Sequence, residues 1–173
     1  MGRSNAYWTS NLYPSEMEEP VPTAPLNDLP PSLASRFRAL RDGLLQIAGV
    51  TEQVRYMGPT WRWAWEYGIG NRKLCWLHLM KAGVDVTFTL SESDESRLAK
   101  GPKLAGVVSR ALLEGQRTGP VKWCWLELGD RRSIDAFLSL ARRKAEWLSE
   151  RPTPRRAPRL HRGSTGSEGV EAD

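Results

Sequence analysis

The segment GVDVTFTL, residues 83–90, alternates apolar and polar side chains without interruption. Successive side chains of an extended chain point to opposite sides, so the two valines, Phe88 and Leu90 share one side. Asp85 and the two threonines share the other side. A strand of this kind has one buried face and one face in contact with water. The segment therefore predicts a sheet that other elements cover on one side.

Four further segments have the length and composition of β-strands: EQVRYMG, WRWAWEY, KLCWLHLM and VKWCWLEL, at residues 52–58, 61–67, 73–80 and 121–128. Three segments repeat apolar residues at helical spacing: one from an N-cap at Ser32 to Gly49, one from Pro102 to Gly115, and one over residues 130–150. Short connections between consecutive strands favour antiparallel pairing. We therefore predict an α+β fold, in which an antiparallel sheet of roughly five strands has about three helices packed mainly on one face.

The distribution of proline and of apolar residues divides the chain of 173 residues into three parts. Residues 1–31 are rich in proline and show little periodicity, which predicts a flexible N-terminal arm. Residues 151–173 are rich in arginine and proline and predict a disordered tail. Residues 32–150 form the one predicted folded domain, which is long enough to bury a core.

The overall composition is that of a soluble globular protein, with 40% hydrophobic and 26% charged residues. No apolar run approaches the ~20 residues that a membrane-spanning helix needs, so we expect no membrane association. The first residues also lack the apolar stretch of a secretory signal, so the cytoplasm is the expected location. The net charge of +5 permits contact with nucleic acid without requiring it.

Few residues in this sequence have catalytic or metal-binding potential. The two cysteines, Cys75 and Cys124, lie in apolar strand segments, where cysteine usually behaves as a small buried hydrophobe. Two cysteines with one nearby histidine, His78, do not make a zinc site. The spacing also assembles no nucleophile–base pair and no pair of carboxylates. The sequence therefore predicts no metal, no cofactor and no catalytic residue, and it favours a protein that is not an enzyme.

The segment WRWAWEY places aromatic residues at every second position. If the whole segment is one strand, Trp61, Trp63, Trp65 and Tyr67 lie on one side of it. Arg62, Ala64 and Glu66 then lie on the opposite side. We interpret the aromatic side as part of the core beneath the helices, because each fully buried indole contributes roughly 4–6 kcal/mol of gross hydrophobic free energy.

The segments KLCWLHLM and VKWCWLEL are apolar on both sides, which a sheet covered on one face does not require. In the first, Leu74, Trp76, His78 and Met80 alternate with Cys75 and two leucines. In the second, two tryptophans alternate with Cys124, Leu126 and Leu128. If the aliphatic sides face the helices, the uncovered face of the sheet carries a candidate ligand site made of Arg62, Glu66, Trp76, His78, Asp85, Trp123, Trp125 and Glu127.

An uncovered face with aromatic and acidic side chains has two interpretations. Indole faces and carboxylates suit a small amphipathic or cationic ligand, because the rings hold its body and the carboxylates orient it. The same face suits homodimerisation or another protein interaction, because exposed aromatic patches often mark interfaces. The sequence favours the ligand and leaves the interface open, and a shift of the strand register by one residue would exchange the two faces.

Nucleic acid is the partner that the charge pattern argues against. Aromatic sheets that bind single-stranded RNA carry lysines and arginines between the exposed rings. Here the expected neighbours of the rings are largely acidic, and Lys122 falls on the covered side with Cys124. The basic run Arg142, Arg143 and Lys144 is predicted to lie mainly on the solvated side of the last helix.

Three stretches carry a resemblance to a known family: RYMGPTWRWAWEYG, LCWLHLMKAGVDVTFTL and KWCWLELGDRRSIDAFLSLARRK. In their order of aromatic strands and final strand–Asp–helix–Lys pattern they resemble the bacterial domain of unknown function (DUF) 3788 family. The resemblance covers about residues 35–148 and implies an α+β fold. It implies no activity and no catalytic residue, and the proline-rich arm and the tail lie outside it.

Overall fold

The computed structural model describes residues 4–150, and the predicted disordered tail over residues 151–173 lies outside that range. The helices within it are α1 (Asn5–Thr9), α2 (Pro25–Asp28), α3 (Pro31–Leu45), α4 (Gly58–Trp61), α5 (Glu92–Lys100), α6 (Gly106–Glu114) and α7 (Arg131–Glu150). The strands are β1 (Val50–Tyr56), β2 (Trp63–Ile69), β3 (Arg72–Met80), β4 (Gly83–Ser91), β5 (Gln116–Thr118) and β6 (Val121–Glu127). No helix within residues 4–150 is both long enough and apolar enough to cross a membrane.

The strands form one six-stranded sheet in the order β1-β2-β3-β4-β6-β5, and every neighbouring pair is antiparallel. The predicted α+β fold with an antiparallel sheet is therefore confirmed. The strand beyond the roughly five predicted is β5, which has three residues and pairs with β6. Its side chains are all exposed, so its sequence, QRT, carries no apolar alternation by which a strand could be recognised.

The core lies between one face of the sheet and the helices α3, α6 and α7. Antiparallel register places Leu77, Val86 and Leu126 side by side on that face, and all three are buried in the cluster that includes Phe37 of α3 and Phe137 of α7. This confirms the side assigned to the apolar residues of β4 and to the aliphatic residues of β6. We refer to this side as the covered face, and to the other as the second face.

The segment WRWAWEY is not one strand, because the chain turns at Arg62. Trp61 ends α4, and Arg62 follows it with a φ of 58°, a left-handed conformation that redirects the chain before β2 begins. Trp65 and Tyr67 belong to the core as predicted, and Trp63 is buried at its edge. The prediction was wrong for Trp61, whose ring lies among aromatic residues of the second face.

A register shift between β2 and β3 moves one further side chain to the other side. Tyr67 pairs with Cys75 but Gly68 pairs with Lys73, so β3 contains one extra residue, a β-bulge. The alternation is interrupted there, and Leu74 joins the core cluster although it was assigned to the side of Trp76. Beyond the bulge, Trp76 and His78 keep the predicted side.

The N-terminal segment packs against the sheet, although a flexible arm was predicted for residues 1–31. Trp8 and Leu29 are buried, and the buried side chain of Asn11 donates to the carbonyl oxygens of Trp61 and Trp63 at 3.2 and 3.3 Å. The backbone N–H of Leu12 also donates to the carbonyl oxygen of Leu79, 2.8 Å away. This segment is held by a few separate contacts and not by one regular element, so its sequence shows no periodic repeat of apolar residues.

Lys144 is buried, contrary to the prediction that its side chain is solvated. Its ammonium group donates to the carbonyl oxygen of Leu74 at 2.8 Å, and its exposed fraction is 3%. This bond satisfies a buried cation next to the bulge of β3. Arg142 is exposed as predicted, and Arg143 is half-buried, with its guanidinium 5.9 Å from the ring centre of Trp147.

Candidate functional site

Four tryptophans form a continuous cluster on the second face, which we call the indole cluster: Trp8, Trp61, Trp76 and Trp123. Trp8 stacks on Trp61 and Trp76 stacks on Trp123, in both cases with 5.5 Å between ring centres. Trp61 meets Trp76 and Trp123 edge-on at 6.4 and 5.6 Å and so joins the two stacked pairs. Edge-on and offset-stacked rings are the favourable arrangements of aromatic pairs. The cluster thereby attaches α1 and α4 to the sheet.

The predicted site residues, apart from Arg62, all lie on this second face. Register places Glu66, Trp76 and Trp125 in one row across the sheet, and His78, Asp85 and Glu127 in the next row. Trp123 lies beside Thr89 on the same face. Arg62 lies at the end of α4, outside the sheet, because of the turn already described.

The second face is not uncovered as the sequence suggested. His78, Trp76, Glu66 and Asp85 are buried, Trp123 and Trp125 are half-buried, and Glu127 is exposed. The covering groups are Trp8 of α1 and Trp61 of α4, neither of which was expected there. The aromatic centre of this face is therefore a second, smaller core, and the solvent-accessible parts of the second face lie at its edges.

Glu66 cannot orient a ligand as proposed from the sequence, because its charge is already paired inside the protein. The indole N–H of Trp76 donates to one carboxylate oxygen at 2.9 Å, and the ammonium of Lys73 donates to the other. Arg55 Nε is 3.2 Å from the latter oxygen. A buried carboxylate needs such partners to offset its desolvation. Glu66 is thus a structural element of this face.

His78 lies at the centre of the face and is held as a neutral ring. Its Nε2 is 2.8 Å from Thr87 Oγ1, and the rings of Trp8 and Trp61 meet it edge-on at 5.0 and 5.1 Å. Burial lowers the pKa of His78 to about 3, because the charged imidazolium would be removed from water. His78 is therefore uncharged at neutral pH, where it can neither attract an anion nor supply a proton.

Two buried polar atoms on this face have no hydrogen-bond partner. Within residues 4–150, His78 Nδ1 and Trp125 Nε1 are the only buried side-chain nitrogen or oxygen atoms in this condition. Such atoms are rare in native proteins, and each one costs about 1–3 kcal/mol when it stays unpaired. Both belong to residues that the sequence placed in the candidate site.

A groove of about 270 Å³ opens at the end of the sheet where β3 ends, β4 begins and β6 ends. We call it the acidic groove, and the residues that define it are Tyr7, Arg36, Met80, Asp85, Glu127 and Leu128. Asp85 and Glu127 are register partners on β4 and β6, so their side chains leave the same face next to each other. The hydroxyl of Tyr7 donates to Asp85 Oδ2 and lies against that wall.

The sequence supplied Asp85 and Glu127 but missed Tyr7 and Arg36, which also line the groove. Tyr7 lies in the proline-rich segment, where no periodicity marks a contact with the sheet. Arg36 belongs to α3, on the covered side, and lines the groove at the end of the sheet where β4 begins and β6 ends. No spacing in the sequence relates either residue to the acidic pair.

A second groove, of about 480 Å³, lies between α5 and α6. Its lining is mainly apolar, including Leu98, Pro102, Leu104 and Leu112. It contains none of the residues that the sequence nominated, and we do not assign it a function.

The cysteines and other potential metal ligands offer no second site. Cys75 and Cys124 are buried free thiols, as predicted, and burial raises their pKa to about 12 and about 11. Thiols in this state are poor nucleophiles at neutral pH. In the part of the chain that the structure describes, no three His, Cys, Asp or Glu side chains are grouped so that they could hold a metal ion.

Comparison with known proteins found no relative of this chain. No protein-family model matches it, and neither the curated proteins nor the solved structures contain a match. Membership of the domain of unknown function 3788 family therefore stays a prediction.

Proposed function

We propose that this protein binds a small organic cation in the acidic groove, without catalysing a reaction. The observation that carries the proposal is that two carboxylates on neighbouring strands, Asp85 and Glu127, line one cavity of about 270 Å³. This volume lies just below the roughly 300–1,000 Å³ typical of drug-sized ligand sites, so it suits a smaller molecule.

The groove combines one buried carboxylate, that of Asp85, with the exposed carboxylate of Glu127, which makes it a better cation site than a pair of surface carboxylates. The exposed fraction of Asp85 is 6%, and the walls include the apolar side chains of Met80, Val84 and Leu128. Charges attract more strongly where the effective dielectric constant is low, whereas exposed ion pairs contribute only ~0–1 kcal/mol. Asp85 and Glu127 also take part in other polar interactions, so a ligand would meet their combined charge rather than vacant oxygens.

The indole cluster has a supporting role in this proposal. Tyr7, whose hydroxyl donates to Asp85, packs edge-on against Trp8 with 4.8 Å between ring centres. Trp8 in turn stacks on Trp61. Trp8 and Trp61, which the sequence did not nominate as contact residues, would therefore position one wall of the groove, while the carboxylates make the contact with the ligand.

Isothermal titration calorimetry with n-butylammonium, and with n-butanol as its neutral counterpart, tests the proposal. We expect saturable binding of the ammonium compound only. The double substitution Asp85→Asn and Glu127→Gln should weaken it at least about tenfold, since a charged contact contributes about 1.5–3 kcal/mol. Glu146→Gln, which removes an exposed carboxylate of α7, should leave the affinity unchanged. Equal affinity in the double variant, or equal binding of the alcohol, would contradict the proposal.

A second candidate function is self-association through β6. Trp123 and Trp125 are half-buried on the second face, and Trp125 Nε1 has no acceptor among the described residues. Partly exposed tryptophan side chains are typical of an interface. Sedimentation equilibrium distinguishes the two: a dimer that Trp125→Ala converts to a monomer would support the interface, and a monomeric wild type would exclude it.

A further inference from the structure

We infer that the ligand of the acidic groove is a zwitterion of amino-acid size, whose ammonium group meets Asp85 and Glu127 and whose carboxylate meets Arg36. The inference rests on the proposed function and adds the second charge of the ligand. It depends on Arg36, which lines the same groove from α3.

Arg36 is a half-buried cation without a partner among the residues that the structure describes. Its side chain makes no hydrogen bond and no ion pair within residues 4–150, and among those residues it is the only basic one that lines the groove. Arg36 contributes to the lowered pKa of Asp130, an exposed residue, but hydrogen bonds with Ser133 are the main cause of that shift. The guanidinium therefore remains available on the wall of the cavity.

The positions of the opposite charges argue against a purely structural pair. Asp85 and Glu127 come from the second face, whereas Arg36 comes from a helix on the covered face, and they meet at the end of the sheet. Arg36 forms no ion pair with either carboxylate, although all three line one cavity. A molecule with separated positive and negative groups would complement this arrangement.

The chemistry of Arg36 favours a carboxylate as the negative group. A guanidinium presents parallel N–H donors that match the two oxygens of a carboxylate, and such paired contacts are about twice as strong as neutral hydrogen bonds. The remaining lining, which includes Met80, Val84 and Leu128, suits a short hydrocarbon portion between the two charges. An amino acid or an ω-amino acid has all three parts.

A calorimetric series with ligands of increasing charge separation tests the inference: glycine, 3-aminopropanoate, 4-aminobutanoate and 6-aminohexanoate, each beside the n-alkylammonium ion of the same chain length. For the wild type we expect one chain length at which the amino acid binds at least about tenfold more tightly than its amine. Arg36→Met should remove that advantage and leave the affinity for the amine unchanged.

Two controls keep the outcomes distinct. Arg38→Met, an exposed arginine of the same helix, should change neither affinity, and retained amine binding by Arg36→Met shows that the variant is folded. If every amino acid binds no better than its amine, or if Arg36→Met retains the advantage, the zwitterion inference is wrong and the cation site stands. If no amine and no amino acid binds, the proposed function is wrong as well.

Discussion

Acidification should destabilise this protein through His78. The ring is fully buried between Trp8 and Trp61, and its pKa in the folded protein is lowered to about 3 by burial. An unfolded chain would release the ring into water, where the pKa of histidine is about 6.5. Because the folded value lies below the unfolded one, the neutral ring's stabilising contribution is complete above about pH 6.5. It is lost progressively as the pH falls towards 3.

The size of the effect follows from these two values. At pH values below both of them the free energy of unfolding would be lower by about 5 kcal/mol, at 1.36 kcal/mol for each unit of difference. At about pH 5 the unfolded chain is already protonated and the folded one is not, which lowers the free energy of unfolding by about 2 kcal/mol relative to about pH 7.5. The expected loss at about pH 5 hardly changes if the pKa of His78 in the folded protein is about 4 instead of about 3, so the comparison is best made at that pH.

Urea unfolding at about pH 7.5 and about pH 5, with an unchanged slope m, measures the difference. We expect the loss of about 2 kcal/mol in the wild type and in His161→Gln, which alters the chain's other histidine. His78→Gln should lose much less. A nitrogen-15 NMR titration of the imidazoles provides a direct check on the folded protein. If His78 titrates near pH 6.5, or if His78→Gln keeps the full loss, the argument from burial is wrong.

Three further substitutions, each compared with a control variant, test the backbone and the buried contacts by urea unfolding. Arg62→Gly should raise the free energy of unfolding by about 1 kcal/mol because it relieves the φ of 58°, whereas Arg62→Ala should not. Gly68→Ala should lower it by about 1–3 kcal/mol, since the new Cβ would lie 2.6 Å from a backbone carbonyl oxygen. Gly106→Ala, where the space is open, should be neutral or slightly stabilising. Glu52→Ala should lower the free energy of unfolding by about 1–3 kcal/mol, because the buried hydroxyl of Tyr67 loses its acceptor, which lies 2.6 Å away. The loss should be smaller when Glu52→Ala is made in the Tyr67→Phe variant.

The sheet could be predicted from the sequence because alternation is a direct consequence of strand geometry. Val86 and Leu126 occupy the side that their alternate neighbours indicated, and they pair with each other in the structure. The helical repeat of apolar residues in the last helix was equally informative, and Ile134 and Phe137 are buried as that repeat predicted. Each of these elements has enough apolar residues for its repeat to be recognised even where single positions depart from it.

The errors occur where the backbone departs from a regular period. Arg62 adopts a left-handed conformation that only glycine favours, so nothing in its identity showed that the strand begins only at Trp63. The extra residue of β3 likewise moved Leu74 to the core without any signal in its own segment. Trp8 covers the second face from a five-residue helix, which is too short to show periodicity.

The predicted acidic residues of the second face differ in their surroundings, and so in whether they can contact a ligand. Glu66 lies beside the indole of Trp76 and is reached by Lys73 and Arg55, so the protein itself neutralises its charge. Asp85 and Glu127 lie at the end of the same face, where they line the acidic groove and the hydroxyl of Tyr7 donates to Asp85. The one basic residue of that groove in the described range, Arg36, remains separate from them. Because Asp85 and Glu127 line a groove that is open to a small molecule, whereas Glu66 is enclosed by its partners, a charged ligand is favoured at the groove and not at Glu66.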